Sequence, residues 1–357
     1  MMDEIILEEG AGEGYDVPDV PHVEIIFDAL NDTLANVEGT ESLTQAQTYM
    51  QGVLSASGQV SARVAGNEGF FSSIGTGLNE AFEYVKKMFK SLWDFFFKRD
   101  APKLAADTKK AITDGKAELA VFENGGSSEA EADKTLAKQI STLKALGHEA
   151  DANKSALDQI LKEADEAHKG SFADKKKAIL MIAHELPKLN KKAKKKLSEK
   201  VDQLINVMKV LKSTVDETDE GAADSTTVSP LIKDMISALK SSNGDQSLLT
   251  KLEGVRDLSN VSQAKTVLDE MLKGIDHADK INSALKGHQS QIGAAIKAVE
   301  GAIASRKEAG KGSDNLNAEL GALRGLMVLA SKLSQCFKQL LSRMTSVQKA
   351  MGEVFGG

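Results

Sequence analysis

Residues Phe70–Phe97 read FFSSIGTGLNEAFEYVKKMFKSLWDFFF and hold nine of the sixteen aromatic residues of the 357-residue chain. At 100° per residue, the apolar side chains gather into an arc of about 160°, which predicts one amphipathic helix about 42 Å long. The opposite face is charged, and lysines are concentrated in its C-terminal half. The apolar face comprises Phe70, Phe71, Ile74, Leu78, Ala81, Phe82, Val85, Met88, Phe89, Leu92, Trp93, Phe95 and Phe96.

The size of this apolar face requires that it be covered in the resting protein. Burial of one large apolar side chain contributes about 1.5–3 kcal/mol, and a monomer that left about ten of them in water would aggregate. The face either forms the core of an N-terminal helical bundle or is kept for a membrane or a partner, since aromatic and lysine-rich faces together are typical of interfacial membrane helices. The candidate contact residues are Phe70, Phe71, Ile74, Leu78, Phe82, Val85, Lys86, Lys87, Phe89, Lys90, Leu92, Trp93 and Phe96.

The remaining sequence is rich in Ala, Leu, Lys and Glu and contains five prolines, a composition that favours long helices over sheets. A coiled-coil seam with 4-3-4-3-4 spacing runs from Leu197 to Val215, and the final helix shows a similar seam from Leu316 to Val354. We predict an all-α fold: an elongated helical bundle, or antiparallel coiled-coil hairpins, with a disordered acidic N-terminal tail. The spacing does not decide whether the seams pair within one chain or between chains.

Breaks in the helical pattern divide the chain into five segments. We predict a disordered acidic tail over residues 1–22, N-terminal helices over residues 23–100, a Lys- and Ala-rich helical bundle over residues 101–215, a linker over residues 216–229 and C-terminal helical hairpins over residues 230–357. The linker sequence, DETDEGAADSTTVS, has no apolar residue larger than valine. A further helix is expected to end at Pro187.

Charge is distributed unevenly along the chain. The net charge is −7, but residues 1–62 contain twelve acidic residues and no Lys or Arg. Ten lysines are concentrated further on, at Lys175, Lys176, Lys177, Lys188, Lys191, Lys192, Lys194, Lys195, Lys196 and Lys200. Such a run is usually a solvated helix face. The alternative is nucleic-acid binding through phosphate neutralisation, without base recognition because no aromatic residues lie between the lysines.

No motif for catalysis, a metal or a cofactor is found in the sequence. His184-Glu185-Leu186-Pro187 begins like a zinc-binding HExxH helix but does not complete it. The single cysteine, Cys336, excludes an internal disulfide framework, and no apolar run has the length of a membrane-spanning helix. We therefore expect a protein that is not an enzyme and that holds no cofactor.

The layout resembles that of internal head proteins of large tailed phages. The resemblance rests on the acidic leader, the segment GFFSSIGTGLNEAFEYVKKMFKSLWDFFFKRD at Gly69–Asp100 and the Lys- and Ala-rich helices after it. It implies a virion structural protein that is made in the host cytoplasm, packaged inside the head and in some cases ejected with the DNA. Its partners would be other virion proteins or further copies of itself, with an anionic membrane surface as a later contact. Many such proteins are trimmed after a Leu- or Ile-x-Glu pattern, which Leu7-Glu8-Glu9 matches.

Two other interpretations remain open from the sequence. The chain also resembles helical pore-forming toxins and secreted translocators, which are long helical bundles with one membrane-seeking segment. It differs from them in carrying charges along one whole face of that segment. The third interpretation is a coiled-coil scaffold that self-associates through its two seams.

Overall fold

The computed structural model describes residues 17–35, 43–56, 74–97, 100–148, 153–220, 233, 237, 244–255, 258–287, 289–309 and 314–357. These residues form twelve helices and no strand, so the prediction of an all-α fold is confirmed. The helices are α1 (Val20–Ala35), α2 (Gln45–Ala56), α3 (Ile74–Phe97), α4 (Asp100–Asn124), α5 (Glu129–Leu146), α6 (Lys154–His168), α7 (Phe172–Leu189), α8 (Lys191–Glu220), α9 (Gly244–Val255), α10 (Val261–Gly287), α11 (Gln289–Ala309) and α12 (Asp314–Val354).

The buried apolar side chains form two clusters that share one long helix. The N-terminal core is built from α1, α2, α3, α11 and the first half of α12. The C-terminal core is built from α4 to α10 and the second half of α12. Helix α12 has 41 residues and is therefore about 60 Å long, which lets it cross both cores. Leu104 on α4 and Phe337 on α12 pack against both clusters and join them.

The boundaries of two predicted segments need correction. The predicted tail over residues 1–22 is too long, because α1 begins at Val20 and the Ser331 hydroxyl on α12 donates a hydrogen bond to the Pro18 carbonyl. Residues 1–16 lie outside the described residues. The predicted linker over residues 216–229 begins too early, because α8 continues to Glu220, the last residue before Gly221. Adding a residue to a helix that has already formed costs little free energy. A helix therefore continues until a helix-breaking residue such as glycine or proline interrupts it.

Helix α7 continues past Pro187, where the sequence predicted that it would end. Pro187 lies inside the last turn of α7 and is buried. A proline costs least near the end of a helix, where few further backbone hydrogen bonds follow it. The backbone N–H of Asn190 closes the helix by donating to the Leu186 carbonyl at 2.8 Å.

The predicted segment of residues 230–357 does not form a core of its own among the described residues. Its helices α9 and α10 contribute to the C-terminal core, whereas α11 contributes to the N-terminal core. Helix α12 contributes to both. The two cores are therefore assembled from residues far apart in the sequence.

The first part of the seam, from Leu197 to Leu204, packs within the chain. Leu197, Val201 and Leu204 are fully buried on α8, and α8 packs along α12. Two polar contacts show that the two helices run antiparallel. Lys196 binds Glu353 at 2.7 Å, and Arg343 donates to the Gln203 side-chain oxygen at 2.9 Å.

Helices α4 and α10 also run antiparallel, and three ion pairs follow their contact. Lys109 pairs with Asp276, Lys116 with Asp269 and Lys265 with Glu123. Surface ion pairs of this kind contribute about 0–1 kcal/mol each. Their main effect is therefore on the register of the two helices, while the apolar side chains beneath them supply the stability.

Candidate functional site

Helix α3 lies in the middle of the N-terminal core. It packs against α1, α2, α4, α11 and α12, and its apolar side chains are among the least accessible of the protein. Val85 and Ala81 are fully buried, and Phe95 is 1 % exposed. The expectation that this face is covered at rest is confirmed for its described side chains from Leu78 to Phe96, of which Trp93 is only half-buried. In the resting protein the aromatic face therefore forms part of the hydrophobic core.

The structure divides the predicted contact residues between a buried and an accessible group. The buried side chains are those of Leu78, Phe82, Val85, Phe89, Leu92 and Phe96. Trp93 and Lys86 are half-buried, whereas Lys87 and Lys90 are exposed. Ile74 begins α3, but its side chain is not described, and Phe70 and Phe71 lie outside the described residues.

Lys86 connects α3 to α11. Its ammonium group binds Glu83 on its own helix and Glu300 on α11, the latter at 2.5 Å. Burial disfavours the charge of Lys86, but the hydrogen bonds that it donates to Glu300 and Glu83 outweigh this effect and raise its pKa. Lys86 is therefore engaged within the protein at rest, in contrast to Lys87 and Lys90.

The aromatic end of α3 packs beneath α12. The rings of Phe95 and Phe96 meet edge to face with their centroids 5.1 Å apart, an arrangement that the ring quadrupoles favour. The ammonium nitrogen of Lys338 lies 4.9 Å from the centre of the Phe95 ring, within the range of a cation–π contact. Burial lowers the pKa of Lys338, and the charge of Asp100 opposes this shift.

A polar junction joins α3 to the two short helices that cover it. His22 on α1 contacts the hydroxyl of Tyr49 on α2 through Nδ1 at 2.8 Å, and that of Tyr84 on α3 through Nε2 at 2.9 Å. Both tyrosine rings also meet the imidazole edge to face at 5.7 Å. A neutral imidazole can accept from one hydroxyl and donate to the other. We call His22, Tyr49 and Tyr84 the His22 junction.

A second set of polar contacts holds α1 and α2 to each other. Thr44 and Gln47 form a capping box at the start of α2, with reciprocal contacts of 3.0 and 3.2 Å. Thr44 also donates to Asp32 at 2.6 Å, and Gln47 donates to Thr33 at 3.3 Å. Arg324 on α12 binds α1 through Asp28 at 2.7 Å. The cover over α3 is therefore a unit with defined polar attachments.

The His22 junction predicts that the N-terminal core weakens in mild acid. Burial lowers the pKa of His22 below its usual value of 6.5, and the charge of Asp19 only partly opposes this. Because the unfolded chain then binds the proton more tightly, this contribution to stability is fully present above pH 6.5. It is lost as the pH falls through the pKa of folded His22.

Urea denaturation at pH 7.5 and 5.5, followed by the fluorescence of the single tryptophan, Trp93, measures this effect. We expect a lower urea midpoint at pH 5.5, and a smaller pH difference for His22→Gln. His184→Gln, which changes an exposed histidine on α7, is the matched control and should behave like the native protein. An unchanged pH difference in His22→Gln would assign the effect to other groups.

The run of lysines is not one solvated face. Lys175 is buried on α7, where it binds Asp133 at 2.8 Å and Glu129 at 2.9 Å. The hydrogen bonds that Lys175 donates to Asp133 and Glu129 raise its pKa. Its inclusion among candidate phosphate contacts was therefore wrong, because two carboxylates on α5 already neutralise it. Lys191 and Lys195, in contrast, are exposed on α8.

Two further properties of the described residues concern the kind of site that they can form. They contain no group of three or more His, Cys, Asp or Glu side chains placed to hold a metal ion. None of their helices combines the length and apolarity needed to cross a bilayer.

Comparison with protein-family models, curated proteins and solved structures gave no match.

Proposed function

We propose that the chain is a non-enzymatic structural protein of a phage particle, carried inside the head, whose aromatic helix α3 is stored at rest and contacts a membrane or a partner after release. The observation that carries this proposal is the burial of the apolar face of α3 within the N-terminal core, where the shortest helices packed against it are α1 and α2. These two helices have 16 and 12 residues, lengths at which an isolated helix is marginal in water. Their cover over α3 therefore depends on tertiary contacts.

Separation of the cover from α3 would create a membrane-active surface. If α3 also left α4, α11 and α12, which pack against it as well, Phe82, Val85 and other side chains that are now 2 % accessible or less would become exposed, and water disfavours each by about 1.5–3 kcal/mol. Lys87 and Lys90 are already on the exposed side. In an interfacial helix, lysines in this position meet anionic headgroups while the aromatic side chains enter the acyl boundary.

The two alternative functions receive less support from the packing. A pore-forming or translocator-like role would require α3 to insert with charges along one whole face, which suits the bilayer interface better than its interior. A scaffold built on the seam of α8 would have to replace the pairing that this seam already makes with α12. The interfacial role requires that α3 separate from the helices that pack against it, of which α1 and α2 are the shortest.

The location of the protein is tested by mass spectrometry of purified phage particles. We expect peptides of this chain in full particles and their loss after the DNA has been ejected in vitro. Treatment of intact particles with a protease should leave the peptides unchanged, because the head shields its contents. Absence of the chain from purified particles would contradict the proposal.

Membrane contact by α3 is tested with anionic vesicles at pH 7.5 and 5.5, using the emission of Trp93 as the local signal. We expect a blue shift on binding, stronger at pH 5.5, where the His22 junction is weakened. Lys87→Gln/Lys90→Gln should reduce vesicle affinity roughly 30-fold, at about 1 kcal/mol per lysine. Lys103→Gln/Lys110→Gln removes two exposed lysines from α4 and should have little effect. Equal losses in the two variants, or no blue shift, would exclude α3 as the contact.

A further inference from the structure

The first turns of α8 are positively charged. The N-terminus of a helix favours negative charge, so this arrangement is unfavourable. Residues 191–200 contain six lysines and one acidic residue, Glu199, and no acidic residue lies in the first turn. Helices α5 and α7 show the favourable pattern, with Glu129 and Asp174 in their first turns. Each cation near a helix N-terminus loses about 0.3–1 kcal/mol of interaction with the helix dipole. Stability of the fold therefore does not account for this arrangement.

The lysines of this region emerge on one side of α8. Ala193, Leu197 and Val201 are buried against the C-terminal core. Lys191, Lys192, Lys195 and Lys196 are exposed on the opposite side, because their positions follow the helical period. We call these four residues the lysine face.

Part of this positive charge is not neutralised by the described residues. Lys196 binds both carboxylate oxygens of Glu353, at 2.7 and 2.8 Å. Lys191 and Lys195 form no ion pair with any carboxylate in the part of the chain that the structure describes. Adjacent exposed ammonium groups repel each other, and this repulsion is relieved when an anion binds between them.

A second pair of cations extends the positive surface from α8 to α12. Lys200 and Arg343 both donate to the side-chain oxygen of Gln203, at 3.4 and 2.9 Å. An amide oxygen carries no net charge, and no carboxylate among the described residues forms an ion pair with Lys200 or Arg343. The guanidinium group has five N–H donors, more than one oxygen can accept. Arg343 therefore retains donors for an anion that binds beside the lysine face.

We propose that the lysine face, together with Lys200 and Arg343, binds the phosphate backbone of double-stranded nucleic acid without recognising its sequence. Residues 191–200 span about 14 Å of helix, which matches about four base pairs of a duplex at 3.4 Å each. Lysines act as point charges toward phosphates, whereas base recognition uses side chains that form paired hydrogen bonds in a groove. The lysine face lies along the side of a packed helix and presents no such side chains.

The chemistry of the surroundings favours a duplex over a bilayer. Surfaces that bind membranes usually add Trp, Phe or Leu side chains that enter the lipid. The exposed large apolar residues among those described are Tyr49, Leu180 and Val210. None of them lies in residues 188–200. The lysine face is therefore suited to a partner that presents closely spaced phosphates and no apolar phase.

Fluorescence anisotropy of a labelled DNA duplex of random sequence, titrated with the full chain at several salt concentrations, tests this proposal. The test variant is Lys191→Gln/Lys195→Gln, which removes the two lysines that form no ion pair with a described carboxylate. We expect its affinity at low salt to be at least about tenfold weaker, and the slope of log K against log salt to fall by about one per lysine removed. Two duplexes of different sequence should bind equally. The control variant Lys103→Gln/Lys110→Gln/Lys162→Gln removes three exposed lysines from α4 and α6 and should change affinity less than twofold.

Thermal unfolding separates loss of binding from loss of folding. The test variant should unfold at the same temperature as the native protein or slightly higher, because it removes cations from a helix N-terminus. The proposal is overturned if the native chain does not bind the duplex, or if the test and control variants lose affinity equally. It is also overturned if the test variant changes binding only to phosphatidylserine vesicles, since the partner is then a membrane.

Discussion

Replacement of Phe95 by alanine is expected to lower the free energy of unfolding by about 3–5 kcal/mol. The Phe95 ring is 1 % exposed, meets Phe96 edge to face and lies under the ammonium group of Lys338. Its removal leaves a cavity between α3 and α12 that these neighbours cannot fill. Urea denaturation followed by Trp93 fluorescence measures the loss.

The matched control for this substitution lies on the other side of the same helix. Lys87→Ala replaces an exposed side chain of α3, and surface substitutions usually change stability by less than about 0.5 kcal/mol. A large loss for Phe95→Ala and a small one for Lys87→Ala would show that only one face of α3 is packed. Losses of similar size would contradict the burial of the aromatic face.

Gln335→Pro is expected to destabilise the protein by about 3 kcal/mol or more and to separate the unfolding of the two cores. Gln335 lies in α12 between Leu333, which belongs to the N-terminal core, and Leu341, which belongs to the C-terminal core. A proline there removes a backbone donor and clashes with the carbonyl of Ser331, four residues earlier. The kink would interrupt α12, which runs through both cores.

Two probes of urea denaturation reveal the separation. Trp93 fluorescence follows the N-terminal core, whereas far-UV circular dichroism follows all helices. We expect the two curves to coincide more closely in Gln335→Ala than in Gln335→Pro, where the fluorescence change should come at a different urea concentration. Coincident curves in Gln335→Pro, with little loss of stability, would mean that α12 does not couple the cores.

The features of the fold that the sequence predicts are local ones. The amphipathic character of α3 and the seam over residues 197–215 depend on spacings of three and four residues, which a single helix determines. Burial of Leu197, Val201 and Leu204 confirms that this seam is an interface. Its partner, α12, was not predictable because that contact joins residues such as Lys196 and Glu353, which are 157 positions apart.

The candidate site was also predicted only in part, because the sequence shows local spacings but not the contacts between distant residues. Periodicity identified the buried face of α3 but not the helices that cover it. The His22 junction was missed because its residues are 27 and 62 positions apart and because His22 was assigned to the tail. The one available signal was the position of Tyr49 on the apolar side of α2. That signal was weak, because Tyr49 is exposed and the requirement for a polar protein partner holds for a buried tyrosine hydroxyl.

Lys175 shows how charge patterning can mislead. In the sequence it belongs to a run of lysines that resembles a solvated face. In the structure it points between helices and binds Glu129 and Asp133 on α5. Positions on a helix are assigned to an exposed or a buried face by the neighbours that pack against it, and those neighbours are not encoded locally.

Thiol accessibility along α3 tests the covering of its aromatic face most directly. In a Cys336→Ala background, Val85→Cys places a thiol at a fully buried position, and Lys87→Cys places one at an exposed position two residues away. At pH 7.5 the burial of α3 predicts rapid maleimide labelling at position 87 and labelling at position 85 that is slower by at least about a hundredfold, since it requires opening of the N-terminal core. Because maleimide reacts with the thiolate, each labelling rate at pH 5.5 is compared with that of the same variant unfolded in urea. After this correction, position 85 should be less protected at pH 5.5 than at pH 7.5. Equal labelling of the two positions at pH 7.5 would contradict the covering of α3 in the resting protein.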